Sequence, residues 1–372
     1  VARQGIIATK AGSGARERRQ PARKNRRAIR LSNSDIAELL AREAETLSGN
    51  LQRAFRRAAR SAFLWPREAA EILAAGESLT SLAGIGPYFE KRVQAWIEGG
   101  TIVRPPPIRR DFLTLAQARA ILSENPGWSK LLRGDLQMHS QWSDGSGTIS
   151  GMAEAGSARG YEFIAITDHS KGLKIAGGID EAALRKQAAE IESVNRRSSC
   201  QVLKSLEMNL NPRGEGDMDA AALAELDLVL GSFHSALRTK EDQTQRYLAA
   251  LRNCNVHILG HPHGRVYNSR PGLSADWPRV FAEAAKLDKA LEIDCYPDRQ
   301  DLNVTLLRTA KREGARISLG TDAHHPWQLE FIELGLAAAQ VAKIPAERIT
   351  NFRPLLELKG WVAELRAKRG GS

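Results

Sequence analysis

The sequence predicts an α/β fold, a parallel barrel or sheet, preceded by a small all-helical domain and a disordered basic tail. Three observations carry this expectation. Beyond Leu132, short β-rich runs alternate with amphipathic helical ones over about 240 residues. From residue 32 to 100, apolar residues recur at helical spacing between cap and glycine signals. Residues 1–30 hold ten Lys and Arg against Glu17 alone, with almost no apolar periodicity.

A length of 372 residues exceeds one ordinary domain of ~100–200 residues, so more than one structural unit is expected. With 42% hydrophobic and 26% charged residues the chain reads as globular with ample core. Its formal charge of +11 suggests a polyanionic partner. That charge is uneven: the first thirty residues carry +9, residues 31–130 carry +2, and the remainder is neutral. Cys200, Cys254 and Cys295 lie far apart with no C-x-x-C spacing, which argues against a disulfide framework or zinc finger and points to a reducing cytoplasm. No apolar run approaches ~18–20 residues and no signal-type h-region opens the chain, so no membrane partner is expected.

The tail, residues 1–31, reads as a solvating segment, as an arm adding non-specific nucleic-acid affinity through counterion release, or as an Arg-rich transit peptide. The helical domain spans 32–100. Ser34-Asp35 opens a helix through Ile36, Leu39, Leu40, Ala44 and Leu47 that stops at Gly49. A second helix, about Leu51 to Phe63, places Arg53, Arg56, Arg57 and Arg60 on one stripe at i, i+3, i+4 and i+7. Such a stripe serves DNA phosphates or is simply a solvated face. A third helix, Pro66 to Ala75, precedes Leu82-Ala-Gly84-Ile85-Gly86-Pro87 and an amphipathic helix to Gly99-Gly100. A Gly-Ile-Gly turn at a helix N-terminus offers backbone N–H groups to a phosphate, the arrangement of a helix-hairpin-helix. Lys91 or Arg92 either adds to that contact or faces solvent. Residues 101–131 read as a linker, stiffened by Arg104-Pro-Pro-Pro107, with one short helix over Thr114–Glu124.

The barrel is expected over 132–350, with a C-terminal helix and tail over 351–372. Its strands are read as Gly134–His139, Phe163–Asp168, Val202–Asn209, Leu228–Phe233, Val256–His261, Leu291–Cys295 and Arg316–Thr321. Helical patterns fall at Asp180–Val194, Asp242–Leu251, Trp277–Leu287 and Leu302–Glu313. Polar residues stand at the strand ends: His139, Asp168-His169, Glu207, His234, His261, and Asp322 with His324, while Asp144 lies in the first loop. In α/β barrels the C-terminal strand ends converge on one face, so these imidazoles and carboxylates read as a multinuclear metal site suited to zinc, manganese or iron. His257, His263 and His325 are left as ordinary histidines.

Asp135-Leu-Gln-Met-His139-Ser-Gln-Trp-Ser-Asp144-Gly, Ile166-Thr-Asp-His169, Leu206-Glu207-Met-Asn209, Ser232-Phe-His234-Ser, Gly260-His261-Pro-His-Gly-Arg265 and Thr321-Asp322-Ala-His324 resemble the motifs of the polymerase-and-histidinol-phosphatase (PHP) family. Their order is that of the PHP domain ending bacterial family X DNA polymerases. Residues 32–100 similarly resemble the small DNA-binding domain that begins those polymerases. The resemblance implies a (β/α)7 barrel with two to three divalent ions. It assigns His139, Glu207 and Asp322 to one ion, joined by position 137. Glu207 would bridge to a second ion with His234 and His261, and Asp144, His169 and His324 would hold a third. Many relatives carry histidine at 137; here it is Gln137, an amide and a poorer ligand.

Clustered divalent ions lower the pKa of bound water toward ~7 and stabilise charge on a phosphoryl group, so metal-bound water is the expected nucleophile of phosphoester hydrolysis. Arg265 is placed to clamp a substrate phosphate, or else to pair with a carboxylate such as Asp294. The nucleotidyl-transfer domain that separates the two parts in family X polymerases is missing, since only residues 101–131 lie between them, and polymerase activity is not expected. Gly216-Asp-Met-Asp219 imitates its paired aspartates but reads as an exposed helix cap. The leading expectation is a DNA-processing phosphoesterase, a 3′–5′ exonuclease or 3′-end trimming enzyme, with DNA as partner. The alternatives are a small-molecule phosphomonoesterase of histidinol-phosphatase type and a DNA-binding adaptor whose barrel holds metal structurally.

Overall fold

Strands buried along their whole length need a helix over each outer face, and the computed structural model, which describes residues 31–368, follows that rule throughout. Four helices come first: α1 (Asn33–Thr46), α2 (Gly49–Ala62), α3 (Ala69–Ala74) and α4 (Pro87–Gly99). Next come α5 (Leu115–Glu124) and α6 (Pro126–Ser129). Seven strand–helix units follow. They are β1 (Gly134–Met138) with α7 (Ile149–Ala158), β2 (Phe163–Ile166) with α8 (Glu181–Asn195), and β3 (Gln201–Asn209) with α9 (Ala220–Ala224). Then come β4 (Leu228–Ser232) with α10 (Thr244–Arg252) and β5 (Ile258–Leu259) with α11 (Trp277–Leu287). The last two are β6 (Ala290–Asp294) with α12 (Val304–Arg312) and β7 (Arg316–Gly320) with α13 (Ile332–Ala342), before a terminal α14 (Leu355–Ala367).

The strands run parallel in sequence order. Between β7 and β1 the ring is drawn together by His139 N–H donating to Ala323 O at 2.7 Å and Asp322 N–H to Gln137 O at 3.0 Å. Asp135 reinforces that seam, accepting the Thr321 hydroxyl at 2.6 Å and the Thr321 N–H at 3.1 Å. The chain therefore forms the expected (β/α)7 barrel, nearly closed. All seven expected strands are present. Six of them end one or two residues earlier than expected, because the chain has already left the ladder for the loops there. A further difference is at β5, reduced to two residues: just before it, the His257 ring accepts the Val229 N–H at 3.0 Å, a side chain standing in for a ladder carbonyl.

Period-two alternation sorts each strand into two faces. On the outer face Leu206, Met208, Val229, Leu259, Leu291, Ile293, Ile317 and Leu319 pack in one cluster with the helices. On the inner face the layers change chemistry with height. The bottom layer, Leu136, Phe163, Leu203, Leu230, Ile258 and Ala290, is apolar and covered by Leu358, Trp361 and Val362 of α14. One and two pleats higher on the same face come Ser205 then Glu207 on β3, and Glu292 then Asp294 on β6, all buried. Burial alone would favour apolar residues there, so these positions mark where function overrides packing.

The helical front end differs from the sequence expectation in its boundaries. The cap of α1 is Ser32, not Ser34-Asp35: Ser32 Oγ accepts the Asp35 N–H at 3.2 Å and the Asp35 carboxylate accepts the Ser32 N–H at 2.9 Å. α3 starts at Ala69 rather than Pro66, because Asn33 satisfies the chain ahead of it, donating to Arg67 O at 2.9 Å and accepting the Ala69 N–H at 2.8 Å. Gly84 lies at φ +79°, and a Cβ there would meet Ser61 Oγ at 3.0 Å, so the turn before α4 requires glycine on both counts. The basic tail lies, through residue 30, outside the described residues, whereas Leu31 is buried in the helical core.

Residues 101–131, expected as a linker, pack on both sides. Arg109 is buried, and its guanidinium donates to both oxygens of Glu38 on α1, at 2.7 and 3.1 Å, and to Asn268 Oδ1 of the barrel at 2.9 Å. Phe112 and Tyr267 meet edge-on with centroids 5.3 Å apart, and Tyr267 meets Phe63 at 4.9 Å. α5 continues into the barrel wall, where Arg119 pairs with Glu333 of α13 at 2.8 Å. The stiffness expected of the prolines is thus supplied by a buried ion pair and an aromatic cluster. Replacing Arg109 by alanine leaves buried Glu38 with Arg42, at 2.6 Å, as its remaining cationic partner, and the expected loss is about 1.5–3 kcal/mol, measured by urea denaturation; a change under ~1 kcal/mol would show that the pair does not hold the two parts together.

Candidate metal centre

Five of the eight histidines leave the C-terminal ends of five strands and meet at the mouth of the barrel. His139 follows β1, His169 β2, His234 β4 and His261 β5, while Asp322 and His324 follow β7. Glu207 sits inside β3 on the inner face, at the floor of a cavity of about 270 Å³. Its Oε1 lies 2.7 Å from His261 Nε2 and 3.2 Å from His234 Nε2. Its Oε2 lies 3.0 Å from His169 Nδ1 and 3.5 Å from His139 Nε2. Asp144 Oδ1 lies 3.3 Å from His324 Nε2, 3.6 Å from His169 Nε2 and 4.0 Å from His139 Nδ1. Asp322 Oδ1 takes the remaining side of His139, 2.9 Å from Nε2.

All eight expected metal-site residues are therefore brought together. The distances cut across the partition that the resemblance implies, however. His139 reaches the Asp144 group as well as Glu207 and Asp322, and His169 lies between Asp144 and Glu207. The His139 and His169 rings stack 4.3 Å apart, which holds their nitrogens at one level.

Three observations fit this donor set to divalent cations. His139 Nδ1, His169 Nδ1 and Glu207 Oε2 are buried without a hydrogen-bond partner, a costly state for polar atoms that a cation would relieve. The donors are imidazole and carboxylate, the set preferred by zinc, manganese and iron. The electrostatics point the same way. Burial opposes charge on Glu207, yet His169, His234 and His261 hold its carboxyl well below the usual range. Burial likewise opposes protonation of His169, but Glu207 and Asp144 raise it to about 10. The carboxylates thus create a negative potential deep in an apolar barrel, able to stabilise positive charge.

A layer that the sequence reading missed supports the centre from below. His261 and Asp322 are non-glycine residues with positive φ, +23° and +52°, a backbone cost of order 1–3 kcal/mol each. Each is held by a residue beneath it: His261 N–H donates to Glu292 Oε2 at 2.8 Å, and Asp322 N–H to Gln137 O. Gln137, the candidate fourth ligand, faces this layer, its amide nitrogen 2.8 Å from Glu292 Oε2 when oriented to donate. A Cβ at Gly320 would come within 2.5 Å of Gln137 Cβ, so the glycine makes room for the glutamine. Burial and neighbouring Asp294 push Glu292 well up, and burial raises Asp294 to about 8. The signal was present in the sequence, as two carboxylates at i and i+2 on β6, the one strand to which no ligand had been assigned.

Arg265 lines the cavity, but most of its guanidinium is engaged elsewhere. It is buried, its guanidinium lies 3.8 Å over the Phe112 ring, and it donates to Arg299 O at 2.8 Å and Asp111 O at 2.6 Å. Its donors serve backbone carbonyls rather than the cavity, nor does it pair with Asp294. The arginine at the centre is Arg299, which bonds Asp322 and lies 3.4 Å from Asp294. Burial opposes its charge, but Asp322 and Asp294 raise its pKa, so it stays cationic beside the cavity it lines, together with Arg270. Nearby, Asp217 accepts from Ser170 Oγ at 2.7 Å and Gly172 N–H at 2.6 Å, and Asp219 stands at the N-terminus of α9; they form no metal pair among the described residues.

The residues singled out for DNA lie apart from this cluster. Arg53, Arg56, Arg57 and Arg60 are all exposed on α2, and Lys91 is exposed on α4. Arg92 instead pairs with Glu43. A Cβ at Gly86 would meet nothing within 4 Å, so the N-terminus of α4 is open to approach.

A family model described as the PHP domain matches residues 135–294. The DNA polymerase/3′-5′ exonuclease PolX of Bacillus subtilis (strain 168) is 37% identical over 233 residues, which make up 62% of this chain and 41% of that protein. This chain therefore spans about two-fifths of that relative. A protein of Photobacterium profundum described as a probable phosphatase is 31% identical over 228 residues, 57% of this chain and 88% of its own length. The crystal structure of histidinol phosphate phosphatase from Lactococcus lactis, complexed with zinc, L-histidinol and phosphate, aligns with 64% of this chain and 94% of that chain at 17% identity and a TM-score of 0.36. Among the described residues, no helix is long and apolar enough to cross a membrane.

The position of Arg265 carries its own test. Arg265→Ala removes a stacked, buried strut and should lower stability by about 2–4 kcal/mol in thermal or urea unfolding. An unchanged midpoint accompanied by a large rise in KM for a phosphoester would return it to the role of phosphate clamp.

Proposed function

Because the chain belongs to the PHP family of metal-dependent phosphoesterases, we propose that it hydrolyses the terminal phosphodiester of DNA from the 3′ end, as an exonuclease or end-trimming enzyme without polymerase activity. The observation that carries the reading is the join of two parts: a phosphoester-type metal centre and a helical domain bearing unpaired arginines, clamped onto the barrel by Arg109. The Bacillus relative, named as a polymerase and 3′-5′ exonuclease, supports the DNA reading.

His139, His169, His234, His261 and His324, with Asp144, Glu207 and Asp322, would hold two to three divalent ions, zinc, manganese or iron. Such ions, when bound, supply positive charge to a phosphoryl group and lower the pKa of water. The chain's own residues do the rest. Arg299 and Arg270 line the cavity and favour entry of an anionic phosphate. Arg299 keeps its charge through Asp322 and Asp294, and it fixes Asp322 from the side opposite His139. Glu292 and Gln137 hold the strained backbones of His261 and Asp322, so the donors are placed before substrate arrives. The apolar layer below and the buried walls limit water to the cavity mouth.

A second reading, hydrolysis of a small phosphomonoester, is favoured by the match to the Photobacterium protein described as a phosphatase. An assay on 3′-labelled single-stranded DNA beside histidinol phosphate separates the two. Chelation by EDTA should abolish turnover of DNA and Mn²⁺ should restore it. His234→Ala should lower kcat/KM by roughly two orders of magnitude or more. Glu207→Gln should lower the metal content by about one ion per chain or more, measured by elemental mass spectrometry. Intact DNA with rapid turnover of histidinol phosphate would favour the second reading. Full metal content with neither activity would leave the barrel as a structural metal holder.

A further inference from the structure

The cations of the helical domain divide into two groups. Arg42, Arg67, Arg92 and Arg109 are each paired with a glutamate. The guanidinium groups of Arg56, Arg57 and Arg60 on α2 have no hydrogen bond or ion pair among the described residues. Two of these unpaired arginines, Arg56 and Arg60, do not simply face solvent. They form one wall of a cavity of about 330 Å³, whose opposite wall is Tyr267, Asn268 and Ser269 of the barrel loop after β5. Among the described residues, no acidic side chain lines it.

That loop is the partition between this cavity and the metal centre. Gly264, Arg265 and Arg270 line the metal-centre cavity, and Val266 to Ser269 line the cavity beside α2. Asn268 lies four residues on from Gly264, a span of at most about 14 Å. The loop is rigid: Val266 and Arg270 exchange N–H···O bonds at 3.0 and 2.9 Å, and Tyr267 N–H donates to Asp298 O at 2.7 Å. Arg238 ties to Ser269 O at 3.1 Å. Arg109 fixes Asn268 Oδ1, which leaves the amide N–H₂ as donors. Arginines therefore stand on both sides of the partition, Arg56 and Arg60 beside α2 and Arg270 and Arg299 at the metal centre.

We propose that the α2–loop cavity is a second phosphate site, in which Arg56, Arg60 and the Asn268 amide hold a backbone phosphate of a single-stranded DNA whose 3′-terminal phosphodiester occupies the metal centre. The inference rests on the DNA reading above and deepens it, because a site at this distance selects a polymer over a free monoester. Guanidinium is suited to the task, since it remains charged and bonds phosphate through two N–H groups. The site touches no reacting atom, so its contribution falls on binding and appears in KM rather than kcat.

The test uses the full chain loaded with Mn²⁺ and compares Arg56→Ala/Arg60→Ala with the unaltered protein. The ratio of kcat/KM for a single-stranded oligonucleotide to that for p-nitrophenyl phosphate should fall roughly 10- to 100-fold. Binding of a phosphorothioate oligonucleotide, followed by fluorescence anisotropy, should weaken by a similar factor. The slope of log affinity against log salt should flatten by about one to two. Both side chains are exposed, and an unchanged melting curve would confirm that the variant folds. If the unaltered protein binds and cuts the oligonucleotide and the double variant matches it, this site is overturned while the DNA reading stands. If the unaltered protein neither binds nor cuts it, the DNA reading fails and this proposal falls with it.

Discussion

Glu207 is a carboxylate with no access to water, placed where four imidazoles converge. A buried charge of this kind is tolerable only if opposite charge surrounds it. The surrounding histidines must come from β1, β2, β4 and β5, so their strands must reach the same height on the inner face of one nearly closed ring. The parallel order, the register and the seam at Asp135 and Thr321 all serve that demand. The centre therefore constrains the barrel as much as the barrel positions the centre.

Below the centre the interior passes from the cluster of imidazoles and carboxylates to a hydrogen-bonded polar layer and then to an apolar floor. The polar layer is not filler. Glu292 and Gln137 hold His261 and Asp322 in backbone conformations that L-residues avoid, so the strain of the site is balanced by bonds directly beneath it. The floor is closed by α14, a helix late in the chain whose Trp361 and Leu358 seal the ring. Removing water from the floor strengthens the electrostatics above it.

The front domain meets the barrel through residues that looked like connection. Arg109, Phe112 and Tyr267 make a buried contact in which charge and aromatic edges are both satisfied. Arg265 completes it by stacking on Phe112 at the cavity wall, with its donors taken by the backbone carbonyls of Arg299 and Asp111. A fixed orientation of α2 follows. Arginines that would otherwise be an ordinary solvated face then line a shared cavity beside the metal centre.

Local pattern determined much of this molecule. Strand–helix alternation, the glycine turn at Gly84 and the His and carboxylate residues at strand ends were legible because each depends on near neighbours or on a fixed period. Boundaries were not: the Ser32 cap was missed for the nearby Ser34-Asp35, and the start of α3 depends on Asn33, thirty-six residues away from Ala69. Likewise, sequence could show that eight ligand-type residues exist, but not that His139 and His169 each face two carboxylates or more. Nor could it separate Arg265 from Arg299, since both stand in loops after strands and differ only in what folds against them. The barrel, its helical front and the chemistry of the mouth were thus legible from local pattern. Which arginine pairs with Asp322, what Gln137 faces and how α2 meets the barrel emerge only on folding, because they depend on contacts between segments far apart in the chain.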